Sequence, residues 1–202
     1  MVRIFTAQRF PLFLLILFIL LFVISGISPT SRYIWFFEAT TAAAIVFSLV
    51  VTYPFFRFSN AAYGLMAFWL FCQLIGSHYT FAHVPFGWVT ELFGFERNHF
   101  DRIAHFFVGF FAYPVAEFFT RRKLAGPIVT TLFALFSMIA IAVAYEMVEW
   151  QAAVIEGGDA GIEFIGAQGD IWDAQADILA DTLGAVCALA LFWIFGKRWG
   201  SR

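Results

Sequence analysis

Six apolar stretches alternate with short polar turns along this chain. They cover about residues 10–27, 34–53, 61–77, 99–120, 126–150 and 171–195. Each falls within the range of about 17–25 apolar residues that crosses a bilayer as a helix. The pattern predicts an all-α polytopic membrane protein with six transmembrane helices in one domain over residues 1–202. The punctuation agrees. Ser28-Pro29-Thr30-Ser31-Arg32 reads as a turn, Pro54 to Asn60 closes the second span, and Arg121-Arg122-Lys123 caps the fourth. Pro114 predicts a kink in the fourth span. The segment His78 to Asn98 is long enough to hold a short interfacial or re-entrant piece. Ser25-Gly26-Ile27-Ser28 has the character of a signal-cleavage region, but five further spans follow, so the first stretch reads as a retained anchor.

Composition supports this class. Of 202 residues 62% are hydrophobic and only 13% charged, with 29 Phe and 7 Trp; a soluble domain carries about a quarter charged residues. The net charge is −2 and no basic cluster suits nucleic acid, so nucleic-acid binding is excluded and the expected surroundings are membrane lipid. Cys72 and Cys187 fall at different depths of different spans, which predicts free thiols. Six spans put both termini on one side. That side collects Arg3, Arg9, Arg57, Arg121, Arg122, Lys123, Lys197, Arg198 and Arg202, against Arg32, Arg97 and Arg102 on the other. An excess of cations marks the cytoplasmic side, so both termini are expected there, in a bacterial inner membrane.

On that topology the titratable residues converge on the outer end. All four His (His78, His83, His99 and His105) lie there, with Asp101, Glu146, Glu149, Asp170, Asp173 and Asp177; Glu117, near Arg121, belongs to the inner side. Asp173, Asp177 and Asp181 recur every four residues and line one helical face for about 12 Å. Carboxylates are costly in hydrocarbon unless paired, hydrated or bound to metal. Three on one stripe repel; raised pKa values, Arg97 and Arg102, or a divalent cation would relieve them. Asp101 and His105 share a face four apart. They either chelate one metal, or the Asp orients the imidazole and positions the helix. Glu146 follows twenty uncharged residues and shares a face with Glu149. The surplus of acid points to a cation held by Asp101, His105, Glu146, Asp170, Asp173 and Asp177. Carboxylates with an imidazole suit Mg, Mn, Ca or Zn. Protonated carboxylates in a hydrogen-bonded network are the competing account.

Three groups of residues form a familiar pattern. They are Asn98-His99-Phe100-Asp101-Arg102 with His105 and Gly109, then Tyr145-Glu146-x-x-Glu149-Trp150, then Gly169-Asp170-Ile171-Trp172-Asp173 with Gln175 and Asp177. Together with His78-Tyr79-Thr80 before Val84-Pro85, they resemble the YjdF family of bacterial inner-membrane proteins. A looser resemblance is to VanZ-like membrane proteins. It rests on Asp101-Arg102-Ile103-Ala104-His105-Phe106, on Glu146-x-x-Glu149, and on Asp177-x-x-x-Asp181-x-x-Gly184. Glu149 and Asp181 depart from that pattern, where Gln and Asn are expected, and both changes add negative charge. The resemblances imply topology and an envelope role at the outer face rather than a reaction.

Three functions fit the residues. A metal-dependent hydrolase or transferase acting on lipid or lipid-linked headgroups would use Glu149 or His99 as general base. A structural or partner-binding membrane protein would use the polar cluster to lock the helices. A cation- or proton-coupled transporter would run along Asp177 and Asp181, although no carboxylate follows Asp181 on the last span.

Overall fold

The computed structural model describes the backbone of residues 2–158 and 167–196; the side chains of 2–8, 156 and 167 lie outside that description. The described chain is helical throughout, without strands. Its helices are α1 (Val2–Ser25), α2 (Arg32–Thr52), α3 (Asn60–Tyr79), α4 (Gly87–Phe93), α5 (Phe100–Val108), α6 (Ala112–Arg121), α7 (Pro127–Glu156) and α8 (Asp173–Phe195). Among the described residues, four helical stretches are both long and apolar enough to cross a membrane: Arg32–Thr52, Phe100–Arg121, Pro127–Ile155 and Asp173–Phe195. The apolar part of α1, Arg9–Ser25, is shorter. Six spans were expected; α3 has the length but carries Asn60, Gln73 and His78 and is not among the four. Arg3, Lys197, Arg198 and Arg202, which entered the charge count, lie outside the described side chains.

By packing, the chain divides into two compact units, Met1–Ala104 and His105–Arg202. In the first, α1 and α2 each pack along α3. Ala39, Ala42, Ala62 and Ala67 are buried there, and small side chains let helix backbones come close where no hydrophobic force drives them together. Ser31 and Ser59 accept bonds from the N–H groups of Ile34 and Ala62, satisfying the starts of α2 and α3. The long loop does hold a short helix, α4, after a 3-10 turn at Phe81–His83. Asn98 fixes the loop's exit: its Nδ2 donates to the carbonyls of Ala82 and Val84, and its Oδ1 accepts from the N–H of Phe100.

In the second unit α6, α7 and α8 pack on one another. Ala134, Met138 and Ala142 of α7 are buried, as are Ala185, Ala188, Leu189 and Phe192 of α8. Trp193 donates to the Thr131 hydroxyl at 2.8 Å, tying α8 to α7. The expected fourth span is interrupted, but not at Pro114 itself. The break is a 3-10 turn at Gly109–Phe111, joining α5 to α6. Proline crowds the carbonyl four residues earlier, here Phe110, so the distortion lies one turn before the ring. The fifth helix outruns its expected end at residue 150 and continues to Glu156. The sixth starts at Asp173 rather than 171. Asp170 folds the entry, its Oδ1 accepting from the N–H of Trp172 at 2.9 Å.

Candidate functional site: an imidazole shared by two buried aspartates

The site begins with two glycines. A Cβ on Gly184 would overlap the carbonyl oxygen of Phe106, and one on Gly109 would overlap the backbone of Asp181 and Ala185. Only glycine permits so close a crossing of two backbones. The crossing sets the helical register: Gly109 lies four residues after His105, and Gly184 three after Asp181. Imidazole and carboxylate are therefore brought together by main-chain contact.

His105 sits between two carboxylates of α8. Its Nδ1 is 3.2 Å from Asp181 Oδ2, and its Nε2 is 3.8 Å from Asp177 Oδ1. Asp173, Asp177 and Asp181 are all buried, Asp181 to 1% exposure. Asp181 Oδ1 has no hydrogen-bond partner among the described residues. Asp101 stands one turn before His105 on the same helix, and helix continuity carries it to the same face. One ligand atom each from Asp101, His105 and Asp177 lies within 4.8 Å of the others.

This donor set fits a divalent cation. A hydrogen bond from Nδ1–H to Asp181 selects the tautomer that carries no proton on Nε2, and that nitrogen is the one turned to Asp177. Two carboxylates and a neutral imidazole are the ligands that Mg, Mn or Zn accept. The buried, unpartnered Oδ1 of Asp181 adds negative potential beside them.

The remaining residues singled out in the sequence have other places. Asp170 turns the chain into α8, and Asp173 occupies the first turn of α8, one turn before Asp177. Glu146 and Glu149 are half-buried near the end of α7. Those three-apart glutamates, Asp170 and Asp173 are not in the three-residue group. His78 donates through Nδ1 to the Ser25 carbonyl, 2.9 Å away, which makes it a strut of the first unit. His83 is exposed and meets the Thr80 hydroxyl at 3.0 Å. Glu117 and Arg121 form the expected pair at 2.6 Å. His99, just before α5, has its pKa lowered, first by burial and then by the Arg97 and Arg102 cations, so it stays neutral near pH 7.

The four-residue spacing left Asp101 either to share a metal with His105 or to orient it; folding adds Asp181, at hydrogen-bonding distance from His105. Glu38 was not among the residues singled out in the sequence. This glutamate is 3% exposed within α2 and accepts from Gln73 Nε2 at 2.5 Å. The signal was available: a lone carboxylate inside an apolar span demands a partner.

A family described as "Predicted membrane protein (DUF2238)" matches residues 10–198. The chain is 32% identical over 182 residues to the inner membrane protein YjdF of Escherichia coli (strain K12), covering 89% of this chain and 87% of that protein. No solved structure matches.

Proposed function

Because the chain belongs to the DUF2238 family of predicted membrane proteins, we propose that this multi-pass inner-membrane protein holds a divalent cation at the crossing of α5 and α8 and acts as a metal-dependent hydrolase or transferase on lipid or lipid-linked headgroups. The observation that carries this reading is His105, turned by Asp181 through one nitrogen and presenting the other to Asp177. Asp101, His105 and Asp177 are the ligands, and Asp181 is a positioning residue. Asp173 on α8, Asp170 at the entry to α8 and Glu146 on α7 would supply further negative charge. When bound, the cation would polarise a phosphoryl or carbonyl oxygen and lower the pKa of water.

The chain's own part is acid–base chemistry and exclusion of water. His99, kept neutral, has a lone pair that can take a proton. Glu149, three residues after Glu146 on α7, is the second candidate base. In the proposed topology of six spans with cytoplasmic termini, these groups face the outer leaflet, where lipid-linked headgroups are presented.

The test is elemental analysis of the full chain, purified without chelator, for wild type, His105→Ala and Asp177→Asn. The reading expects about one divalent ion per wild-type chain, its loss in both variants, and a lower melting temperature in chelator. No bound ion, with melting unmoved by chelator, would sink it. The same result would support the other reading that a specific observation favours: His105, Asp181 and the glycine crossing simply lock α5 to α8.

A further inference from the structure

A second feature of the molecule lies wholly within the first unit. α1 and α2 pack along α3 but touch each other much less. A cavity of about 520 Å³ fills the space between them, a size typical of ligand sites. Leu15 and Phe18 of α1, Val46 and Val50 of α2, and Met66 and Leu70 of α3 form its apolar walls. Its lining is apolar except near one end, where Tyr53, Arg57 and Tyr63 stand together.

That end is built. The guanidinium of Arg57 lies 5.0 Å from the ring centre of Tyr53. The loop carrying it is clamped by Tyr63, whose hydroxyl accepts from the N–H of Phe58 at 3.4 Å and whose ring meets Phe58 edge-on at 5.8 Å. Arg57 is exposed, so its cation reaches outward from the apolar walls. A long apolar slot ending in a fixed guanidinium matches a molecule with a hydrocarbon chain and an anionic head. A guanidinium pairs a phosphate through two parallel hydrogen bonds. A zwitterionic lipid offers the same chain but no net charge, and so gains less from Arg57.

We propose that the slot between α1 and α2 binds one anionic phospholipid, with an acyl chain along the α1, α2 and α3 walls and the phosphate on Arg57. The site is independent of the His105 cluster and of the metal reading.

Native mass spectrometry tests it. The full chain, in mild detergent, is incubated with equal amounts of phosphatidylglycerol and phosphatidylethanolamine, then released. Wild type is expected to retain one phosphatidylglycerol in preference. Arg57→Gln lowers that retention about fivefold, the worth of one interfacial cation, with melting unchanged. Val46→Trp and Leu15→Trp fill the slot from opposite walls, and each removes bound lipid. Arg122→Gln, which removes a cation at the C-terminal cap of α6 in the second unit, leaves retention as it was. Equal retention of the two lipids by wild type overturns the proposal. So does an equal loss in Arg57→Gln and Arg122→Gln, which would mark general charge attraction. A lipid-free dimer would assign the slot to a second copy of the chain and overturn it too.

Discussion

Each unit buries acid, and the two handle it differently. In the first, Glu38 meets an amide, Gln73, at 2.5 Å across α2 and α3. A carboxylate beside a neutral donor is a structural contact: it joins two helices and offers a cation little. In the second, Asp173, Asp177 and Asp181 are buried along one stripe, and a single imidazole is shared by two of them. Three carboxylates there share one helical face, and two of them share one imidazole. The helices also approach differently. The first unit packs over alanines, whereas α5 and α8 meet backbone to backbone through Gly109 and Gly184. The proposed cation site would need such a rigid crossing to hold its ligand atoms in place; a lateral helix contact does not.

The largest expected effect breaks the crossing. Gly184→Val forces a side chain into the Phe106 carbonyl, and the obstacle is main chain, so the loss is about 3 kcal/mol or more, or no folded protein at all. Gly64→Ala is the matching change in the first unit. Its Cβ would meet only the Phe10 ring at 3.8 Å, so it is expected to be neutral or to stabilise by up to about 1 kcal/mol. Thermal melting in detergent reads both, and equal losses would erase the distinction between the units.

Asp181→Asn probes the site with less damage to the fold. The amide still bonds His105 but no longer fixes the tautomer, so affinity for Mn or Zn is expected to fall roughly 10–100-fold by calorimetric titration. Unchanged affinity would remove Asp181 from the site. Gln73→Leu, the counterpart in the first unit, is expected to cost about 1 kcal/mol in melting experiments and to leave ion content alone.

The smallest effect is pH dependence at His99. Its folded pKa lies below the ordinary value of about 6.5 for an unfolded chain, so the fold favours the neutral ring. The stability this contributes is complete above that value and is lost as pH falls through the folded pKa. Histidine NMR should therefore show His99 titrating at lower pH than an exposed histidine. Arg102→Gln should move its titration upward, because one of the cations opposing protonation is gone. No upward movement would separate the ring from the Arg102 field.

Much of this was written in hydrophobic runs. The helical class, the turn at Ser28–Arg32, a short piece inside the long loop and the Glu117–Arg121 pair were all legible from local rules. The Asp173, Asp177 and Asp181 stripe is equally local, because helical periodicity alone puts those residues on one face. Helix ends were less legible: α7 runs six residues past its expected end, and α8 waits for the Asp170 turn.

What the sequence could not decide was partnership. Spacing offered Asp101, four residues from His105, as its orienter or co-ligand, and nothing local linked His105 to Asp181, seventy-six residues on; folding makes that contact at 3.2 Å. The reason is the pair of glycines. Which face of α5 meets which face of α8 depends on where two backbones can nearly touch, and that choice is made in three dimensions between segments distant in the chain. Periodicity put acid on a face of α8; the glycine crossing set the imidazole against it.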